Sequence, residues 1–240
     1  VRRSPIRSVD EFESFYEQVC ANPDVRFAGT MGYEAQLAGV PDNSTGQPLR
    51  NVLIRTMKRF SRPDVRRRRK AVAEFLEDRE AANLVNAGGT GSIRFSAQED
   101  GVTEVTVGSG FLQSHLFDDY QNNDNEPAFA FALPITRHPA DSIVTCQSGG
   151  FIASGPTGED KAPRPFRPEN VSTLDREGFG EVQTPLRVPE DVDLSVGDPV
   201  FFRPAKAGEI AERFNEYLLI DDGTIIERID TYRGHGQCFY

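Results

Sequence analysis

The sequence predicts an α/β region followed by a mostly antiparallel β region. In residues 1–126, predicted strands alternate with predicted helices, which is typical of βα units that share a parallel sheet. In residues 127–240, short strands are separated by turns rich in Gly, Pro and Asp, such as Gly197-Asp198 and Asp222-Gly223. The change in composition at residues 122–127 places a domain boundary near residue 126.

The first helix of the α/β region is predicted from a capping box. Ser8 and Glu11 have the required spacing, and an apolar stripe of Phe12, Phe15, Tyr16 and Val19 follows as far as the stop at Asn22-Pro23. The alternation continues with a buried strand over 25–33, a helix over 63–78 that begins at Pro63, and strands over 83–86 and 102–107.

Six segments of the second region are predicted as strands. They cover residues 128–136, 142–153, 180–185, 199–204, 216–220 and 224–232. Residues 153–168 are rich in Gly and Pro, and we interpret them as a long surface loop. The α/β region is too short for a closed (β/α)8 barrel, which takes roughly 250 residues. It therefore holds three or four barrel strands, whose exposed edges predict poor stability for the chain alone.

Bulk composition excludes several classes of protein. The longest apolar run, over 128–135, is far shorter than the roughly 20 residues of a membrane-spanning helix, so we expect no membrane association and a cytoplasmic location. The net charge of −10 opposes binding to nucleic acid, because such binding needs clustered cations. Three scattered cysteines, including Cys238, fit neither a disulfide framework nor a zinc finger.

Two glycine-rich loops are the strongest chemical signal. Gly88, Gly89, Thr90 and Gly91 follow one predicted strand, and Gly108, Ser109 and Gly110 follow the next. Glycine lets backbone N–H groups approach an anion closely, and neighbouring hydroxyl groups add hydrogen bonds. The loops lack the lysine of a Walker A motif and the spacing of a dinucleotide fingerprint. They predict a phosphate site at the carboxyl ends of adjacent strands, and ordinary glycine turns are the alternative.

Several motifs occur in an order that resembles a known enzyme family. They are Met31-Gly-Tyr-Glu-Ala-Gln-Leu-Ala-Gly39, Asn86-Ala-Gly-Gly-Thr-Gly91, Glu104-Val-Thr-Val-Gly-Ser-Gly110, His115-Leu-Phe-Asp-Asp-Tyr120, Gly180-Glu-Val-Gln-Thr-Pro185 and Ala205-Lys-Ala-Gly-Glu209. The chain resembles the amino-acid deaminase/aldolase family, which is related to D-threonine aldolase and D-serine dehydratase among the alanine-racemase-like, fold type III enzymes of pyridoxal phosphate (PLP). The resemblance covers essentially the whole chain.

The resemblance implies a fold and a cofactor. Residues 1–126 would be the C-terminal part of an alanine-racemase-like (β/α)8 barrel, and residues 127–240 a β-domain of the D-serine dehydratase type. The Gly88 to Gly91 loop and the Gly108 to Phe111 backbone would hold the PLP phosphate, with Tyr33 near the cofactor ring. The family's Schiff-base lysine lies upstream of Val1, so we expect this fragment to be inactive alone and to hold PLP weakly and without a covalent bond.

The four lysines are weighed individually. Lys58 and Lys70 belong to an Arg-rich helical face that we interpret as solvated, and Lys161 lies in the Gly/Pro loop. Lys206 stands where relatives resembling D-serine dehydratase have a metal-binding histidine, with Gly208 at the cysteine position, so the sequence argues against a divalent metal site. An ammonium there can replace the metal's positive charge beside the substrate, and a salt bridge with Glu209 is the alternative.

Two of the three histidines are candidates for the cofactor cleft. His115 follows the second glycine loop, and His235 lies between two glycines that permit a ligand to approach closely. We select His235 as a proton-transfer group and Lys206 as a second catalytic residue, with packing or surface roles as alternatives. Cys238 near His235 is a weak indication of a metal.

These observations predict a PLP-dependent lyase for small hydroxy-amino acids such as threonine or serine, by aldol cleavage or by dehydration and deamination. The alternatives are a non-catalytic binder of PLP or another phosphate ligand, and an amino-acid racemase. By the resemblance we also expect an amino-acid substrate and a homodimer.

Overall fold

The computed structural model describes residues 4–79, 84–156 and 158–237. The chain divides at Phe111: the residues up to this point, together with Asp119–Asp124, form one compact unit. Leu112–Asp118 and the residues from Asn125 onward form the other. We call them the α/β unit and the β unit. Within the described ranges, no helix combines the length and apolarity needed to cross a membrane.

The α/β unit is built on three parallel strands in the order β1-β2-β3. Its elements are helix α1 (Val9–Ala21), strand β1 (Gly29–Gly32), helices α2 (Ala35–Ala38) and α3 (Pro48–Glu77), strand β2 (Leu84–Ala87), helix α4 (Ile93–Ser96) and strand β3 (Glu104–Val105). The alternation and the parallel pairing that we expected are confirmed. That the sheet belongs to a (β/α)8 barrel stays a prediction.

Helix α1 forms as its capping box predicts. The Ser8 hydroxyl accepts a hydrogen bond from the Glu11 backbone N–H at 3.2 Å, and the Glu11 carboxylate accepts one from the Ser8 N–H at 3.1 Å. The apolar stripe buries Phe12 against Phe75 of α3, with ring centroids 5.5 Å apart. This contact fastens both helices over Val85 of β2, within the main apolar cluster of the unit.

Helix α3 differs from its prediction at the N-terminus. Pro63 does not start the helix but lies inside it, and Pro48 occupies the first turn. An interior proline removes one backbone hydrogen bond, yet the helix continues because its buried face, with Asn51 and Ile54, extends upstream of Pro63. The sequence signature of a proline in the first turn is ambiguous when a second proline precedes it.

Lys58 on α3 is buried, so the prediction that it lies on a solvated face was wrong. Its ammonium is 3.0 Å from a carboxylate oxygen of Asp42 and 4.8 Å from the centroid of the Tyr120 ring. Burial lowers the pKa of Lys58, and the hydrogen bond to Asp42 opposes that shift. The Lys58 side chain lies on the same buried helical face as Ile54. The many basic residues that surround Lys58 in the sequence do not indicate this.

The strands of this unit are shorter than the sequence predicted. The strand expected over 25–33 is limited to β1, where Met31 is 74% exposed instead of buried, and the strand expected over 102–107 is limited to Glu104 and Val105. Among the residues that the structure describes, both strands pair only with β2, through four residues of β1 and two of β3. The prediction from apolar content therefore overestimated the length of both strands.

The β unit contains a six-stranded antiparallel sheet and a separate hairpin, which confirms the predicted β region. The sheet has the order β6-β9-β4-β5-β8-β7, and β10 pairs with β11. The elements are β4 (Phe131–Ala140), β5 (Ile143–Gln147), β6 (Arg164–Arg167), β7 (Ser172–Thr173), β8 (Gln183–Arg187), β9 (Pro199–Arg203), α5 (Gly208–Ala211), β10 (Glu216–Asp221) and β11 (Thr224–Asp230).

Alternation along the strands builds the core of this unit. Phe131, Leu133 and Ile135 of β4 are buried while the residues between them are exposed, and Phe131 stands opposite Phe202 of β9. Strand β6 lies inside the segment that we interpreted as a loop. Pro165 argued against a strand in this segment, but β6 is an edge strand, where proline is tolerated.

Candidate functional site

The carboxyl ends of the three parallel strands gather the predicted phosphate-binding residues. Tyr33 follows β1, the Gly88 to Gly91 loop follows β2, and the Gly108 to Phe111 loop follows β3. The parallel pairing brings these ends to one edge of the sheet, as expected for a ligand site in an α/β fold. We call this edge the glycine-loop site.

The first loop is shaped by positions where no side chain fits. Gly88 has φ +87°, which favours glycine. A Cβ at Gly89 would lie 2.7 Å from the Tyr33 ring, so this ring packs directly on the loop backbone. A Cβ at Gly91 would lie 2.2 Å from the Tyr120 ring and 2.4 Å from the carbonyl oxygen of Ala38. The loop backbone is therefore held close to its neighbours on both sides.

The second loop is fastened to the first. The Thr90 hydroxyl donates a hydrogen bond to the backbone carbonyl of Val107, so this hydroxyl joins the loops, whereas the sequence suggested that it would bind phosphate. A Cβ at Gly110 would lie 2.7 Å from Val107 Cγ1 and 3.0 Å from Thr90 Cγ2. Ser109 is half-buried and the Phe111 ring is 77% exposed, so both side chains border the loop surface that remains accessible.

Glu34 is a buried carboxylate at the glycine-loop site that the sequence analysis overlooked. Its Oε2 accepts hydrogen bonds from the Gly88 N–H at 3.2 Å and from Arg69 Nη2 at 2.8 Å, and its Oε1 accepts one from the Ser96 hydroxyl. Gly88 therefore supplies a turn, and its N–H is already used by the protein. The available signal was that Glu34 directly follows Tyr33, at the end of a strand.

Arg69 offsets negative charge beneath this site. Its guanidinium bridges Glu34 and Glu99, and all three side chains are at least nine-tenths buried. Without that cation, the Glu34 carboxylate would repel any anion at the loops. The same guanidinium donates to the carbonyl oxygen of Gly32 at 3.1 Å, which fixes the end of β1. The carboxylate of Glu104 on β3 accepts a hydrogen bond from the Asn86 side chain.

Lys206 lies in the β unit, where its ammonium has a defined setting. Nζ donates to the carbonyl oxygen of Ser154 at 2.8 Å and is 3.0 Å from the Ser154 hydroxyl. Glu209 accepts a hydrogen bond from the Ser154 N–H at 2.7 Å. Burial raises the pKa of Glu209, but the bonds from Ser154 and the charge of Lys206 outweigh it, and the net shift is downward. Lys206 and Glu209 thus share Ser154 as their neighbour.

His235 follows β11 and is exposed. Its Nδ1 is 3.9 Å from a carboxylate oxygen of Asp230, and its backbone N–H donates to the carbonyl oxygen of Thr231. Lys206 and His235 both belong to the β unit, while Tyr33 and the two loops belong to the α/β unit. Cys238 lies outside the described residues. Among the residues that are described, no three His, Cys, Asp or Glu side chains gather into a metal-binding group.

His115, the other histidine considered for the cleft, is fully buried in the β unit. Its Nε2 is 2.7 Å from the carbonyl oxygen of Ala162, so Nε2 carries the proton of the neutral ring. Burial, with the nearby charges of Arg164 and Arg203, lowers the pKa of His115 to about 4. The ring is therefore neutral at neutral pH and packs in the interior.

Comparison with solved structures identifies the fold. The structure superposes on the D-threonine aldolase from Filomicrobium marinum with a TM-score of 0.76 at 15% sequence identity. This chain shares the fold of D-threonine aldolase. The match covers 99% of this chain and 61% of that chain. The resemblance inferred from the motifs is confirmed at the level of the fold.

Two further relatives of the D-threonine aldolase fold match less closely. The D-threo-3-hydroxyaspartate dehydratase from Delftia sp. HT23 has a TM-score of 0.59 at 15% identity, covering 86% of this chain and 56% of that one. The alanine racemase of Clostridium difficile 630, in complex with cycloserine, has a TM-score of 0.54 at 13% identity, covering 95% and 63%. The chain thus spans about three fifths of each structure. No family model and no curated protein sequence matches it.

Proposed function

We propose that the glycine-loop site binds the phosphate of PLP, and that a longer protein containing this chain is a lyase for small hydroxy-amino acids. The observation that carries the proposal is the pair of glycine loops joined at the carboxyl ends of adjacent parallel strands. The fold shared with D-threonine aldolase and D-threo-3-hydroxyaspartate dehydratase supports the class of reaction.

The residues present fit a phosphate group. A Cβ at Gly108 would meet nothing within 4 Å, so an anion can approach the backbone of the second loop there, and the neighbouring Ser109 can add its hydroxyl. The buried Arg69 pairs with Glu34 and Glu99, and Arg66 also approaches Glu99, so two cations offset the two carboxylates of this network. In this proposal Tyr33, whose ring packs on Gly89, contacts a planar ring attached to that phosphate.

When bound, PLP would supply an electron sink for the carbanion that forms at the substrate Cα. In this proposal Lys206 supplies a positive charge that stabilises the substrate hydroxyl or carboxylate. Two of its hydrogen-bond contacts are with Ser154, and an ammonium has three N–H donors, so one remains for a substrate. His235, with Asp230 beside it, is the proposed proton-transfer group.

The first test compares PLP with pyridoxal, which has the same ring and no phosphate, by equilibrium dialysis against this chain. We expect weak, saturable binding of PLP and at least about tenfold weaker binding of pyridoxal, because charge-assisted hydrogen bonds to phosphate supply most of the affinity. Thr90→Val should weaken PLP binding by separating the loops. Thr56→Val is the matched control, since its hydroxyl also donates to a backbone carbonyl, that of Val52, but on α3. Equal binding of both compounds would contradict the proposal.

A non-catalytic PLP binder is the second candidate, and the setting of the lysines favours it for this chain. Lys58 is buried against Asp42, and Lys70 and Lys161 pair with Glu74 and Asp160. Borohydride reduction of the PLP-loaded chain, followed by peptide mass spectrometry, should find no PLP-modified lysine at the glycine-loop site. In a longer protein with an upstream lysine, ammonia or aldehyde release from threonine and serine would identify a lyase, and racemisation alone a racemase. The homodimer stays a prediction.

A further inference from the structure

A groove of about 770 Å³ in the α/β unit is surrounded by positive charge. It lies between α3 and α4, and no carboxylate is among its lining residues. Six lining side chains are cationic: Arg59, Arg62, Arg66, Arg67, Lys70 and Arg94. We call it the arginine groove. Its size is that of a small-molecule site, and its charge opposes the net charge of −10 of the whole protein.

The cations of the arginine groove are only partly neutralised. Exposed carboxylates at the rim pair with three of them: Asp64 with Arg67, Glu74 with Lys70, and Asp124 with Arg94. Exposed ion pairs of this kind contribute little to stability, so a ligand can replace them.

The remaining three cations are less balanced. Arg66 reaches a carboxylate oxygen of Glu99 only at 3.7 Å, while Glu99 is engaged by Arg69. Within the described part of the chain, Arg59 and Arg62 form no ion pair. Two cations without an ion pair therefore lie beside the weakly paired Arg66 in this groove, and their mutual repulsion costs free energy unless an anion is bound.

Two of the guanidinium groups are held in position. Arg62 and Arg66, one helical turn apart on α3, lie over the ring of Phe95 of α4, at 5.7 and 5.4 Å from its centroid. Phe95 is itself buried, so the ring is a fixed support. Guanidinium groups held in this way lose little conformational freedom when they bind phosphate oxygens in a bidentate manner.

We propose that the arginine groove binds a small anion with two or more phosphate groups, at a site separate from the glycine loops. A single phosphate carries at most about two negative charges at neutral pH, whereas a chain of phosphates carries enough charge to neutralise Arg59, Arg62 and Arg66 together. A long nucleic acid is disfavoured, because the rest of the protein is acidic and would repel it.

Isothermal titration of this chain with tripolyphosphate, at roughly 0.15 M salt, tests the proposal. We expect one saturable site, with inorganic phosphate at least about tenfold weaker. The double variant Arg62→Gln/Arg66→Gln should weaken tripolyphosphate binding by about tenfold or more, since it removes two charge-assisted contacts with the ligand. Arg50→Gln, an exposed residue of the same helix outside the groove, should change it by less than about twofold.

Several results would overturn the proposal. They are the absence of a saturable site, equal affinity for phosphate and tripolyphosphate, unchanged binding by the double variant, or displacement of the probe by an RNA oligonucleotide that binds more tightly. Circular dichroism checks that the variants fold, and Arg62→Lys/Arg66→Lys, which keeps the charge without the planar fork, should bind with intermediate affinity. PLP dialysis on the same variants separates the two sites: PLP binding should persist where tripolyphosphate binding is lost.

Discussion

The two units of the molecule are stabilised by different kinds of interior. Among the described residues, the apolar cluster of the β unit contains eleven buried side chains, whereas that of the α/β unit contains four. The α/β unit instead buries ionisable groups, with Glu34, Arg69 and Glu99 in one network and Asp42 with Lys58 in another. The unit that carries the glycine-loop site is therefore the one whose stability depends on pairing of buried charges.

This difference has a physical consequence. Truncating one apolar side chain costs free energy of unfolding in proportion to the cavity left behind. A buried ion pair that loses one partner instead leaves an unpaired charge in a medium of low polarity. We expect single substitutions to affect the two units through different mechanisms, and three measurements can separate them.

Arg69→Met should have the largest effect. It leaves Glu34 and Glu99 buried without their cation, which we expect to cost about 3–5 kcal/mol of the free energy of unfolding of the α/β unit. Hydrogen exchange resolved by peptide gives the measurement, because it reports β2 and β5 separately. Arg67→Met, which removes an exposed pair with Asp64, is the control and should cost at most about 1 kcal/mol.

The charge explanation has its own check. Adding Glu34→Gln and Glu99→Gln to Arg69→Met removes the unpaired carboxylates and should restore a large part of the lost protection in β2. If the triple variant is no more stable than Arg69→Met, loss of packing rather than of charge pairing explains the effect.

Leu186→Ala should have a somewhat smaller effect, confined to the β unit. Leu186 is fully buried in the apolar cluster, and its truncation should cost about 2–4 kcal/mol in protection of β5, with β2 unchanged. Ile225→Ala, at an exposed position of the β10–β11 hairpin, is the control. Equal loss of protection in β2 would show that the units unfold together.

His115→Gln should change the pH dependence of stability in the β unit. The pKa of His115 is about 4 in the folded protein and near 6.5 in the unfolded chain, so the unfolded chain binds more protons between these values. The stability gained from a neutral His115 is complete above pH 6.5 and is lost as the pH falls towards 4, by at most about 3 kcal/mol. The variant should show a flatter dependence of stability on pH in this window. His138→Gln, at an exposed position, is the control and should leave that dependence unchanged.

The sequence identified the antiparallel strands well, because alternation along a strand such as β4 follows directly from the pleat. It was less reliable where a proline has two interpretations: Pro63 lies inside a helix, and Pro165 lies on an edge strand. In both cases the outcome depends on neighbours that are distant in sequence.

At the candidate site, the glycine loops were accessible to sequence analysis and the charges beneath them were not. A loop is a local pattern, so its position after a strand could be predicted. Glu34, Arg69 and Glu99 come from three distant segments, and only the fold reveals that they meet. Lys58 was misassigned for the same reason: one helix carries both a solvated basic face and a buried lysine.

The close approach at Gly91 bears on how related sequences can vary. Its space is limited both by the Tyr120 ring and by the carbonyl oxygen of Ala38, which belongs to the backbone. A smaller residue at position 120 would remove the first obstacle but not the second, so no single compensating substitution makes room for a side chain. In an alignment of relatives, we therefore expect glycine to be retained at this position even where Tyr120 is replaced, without covariation between the two.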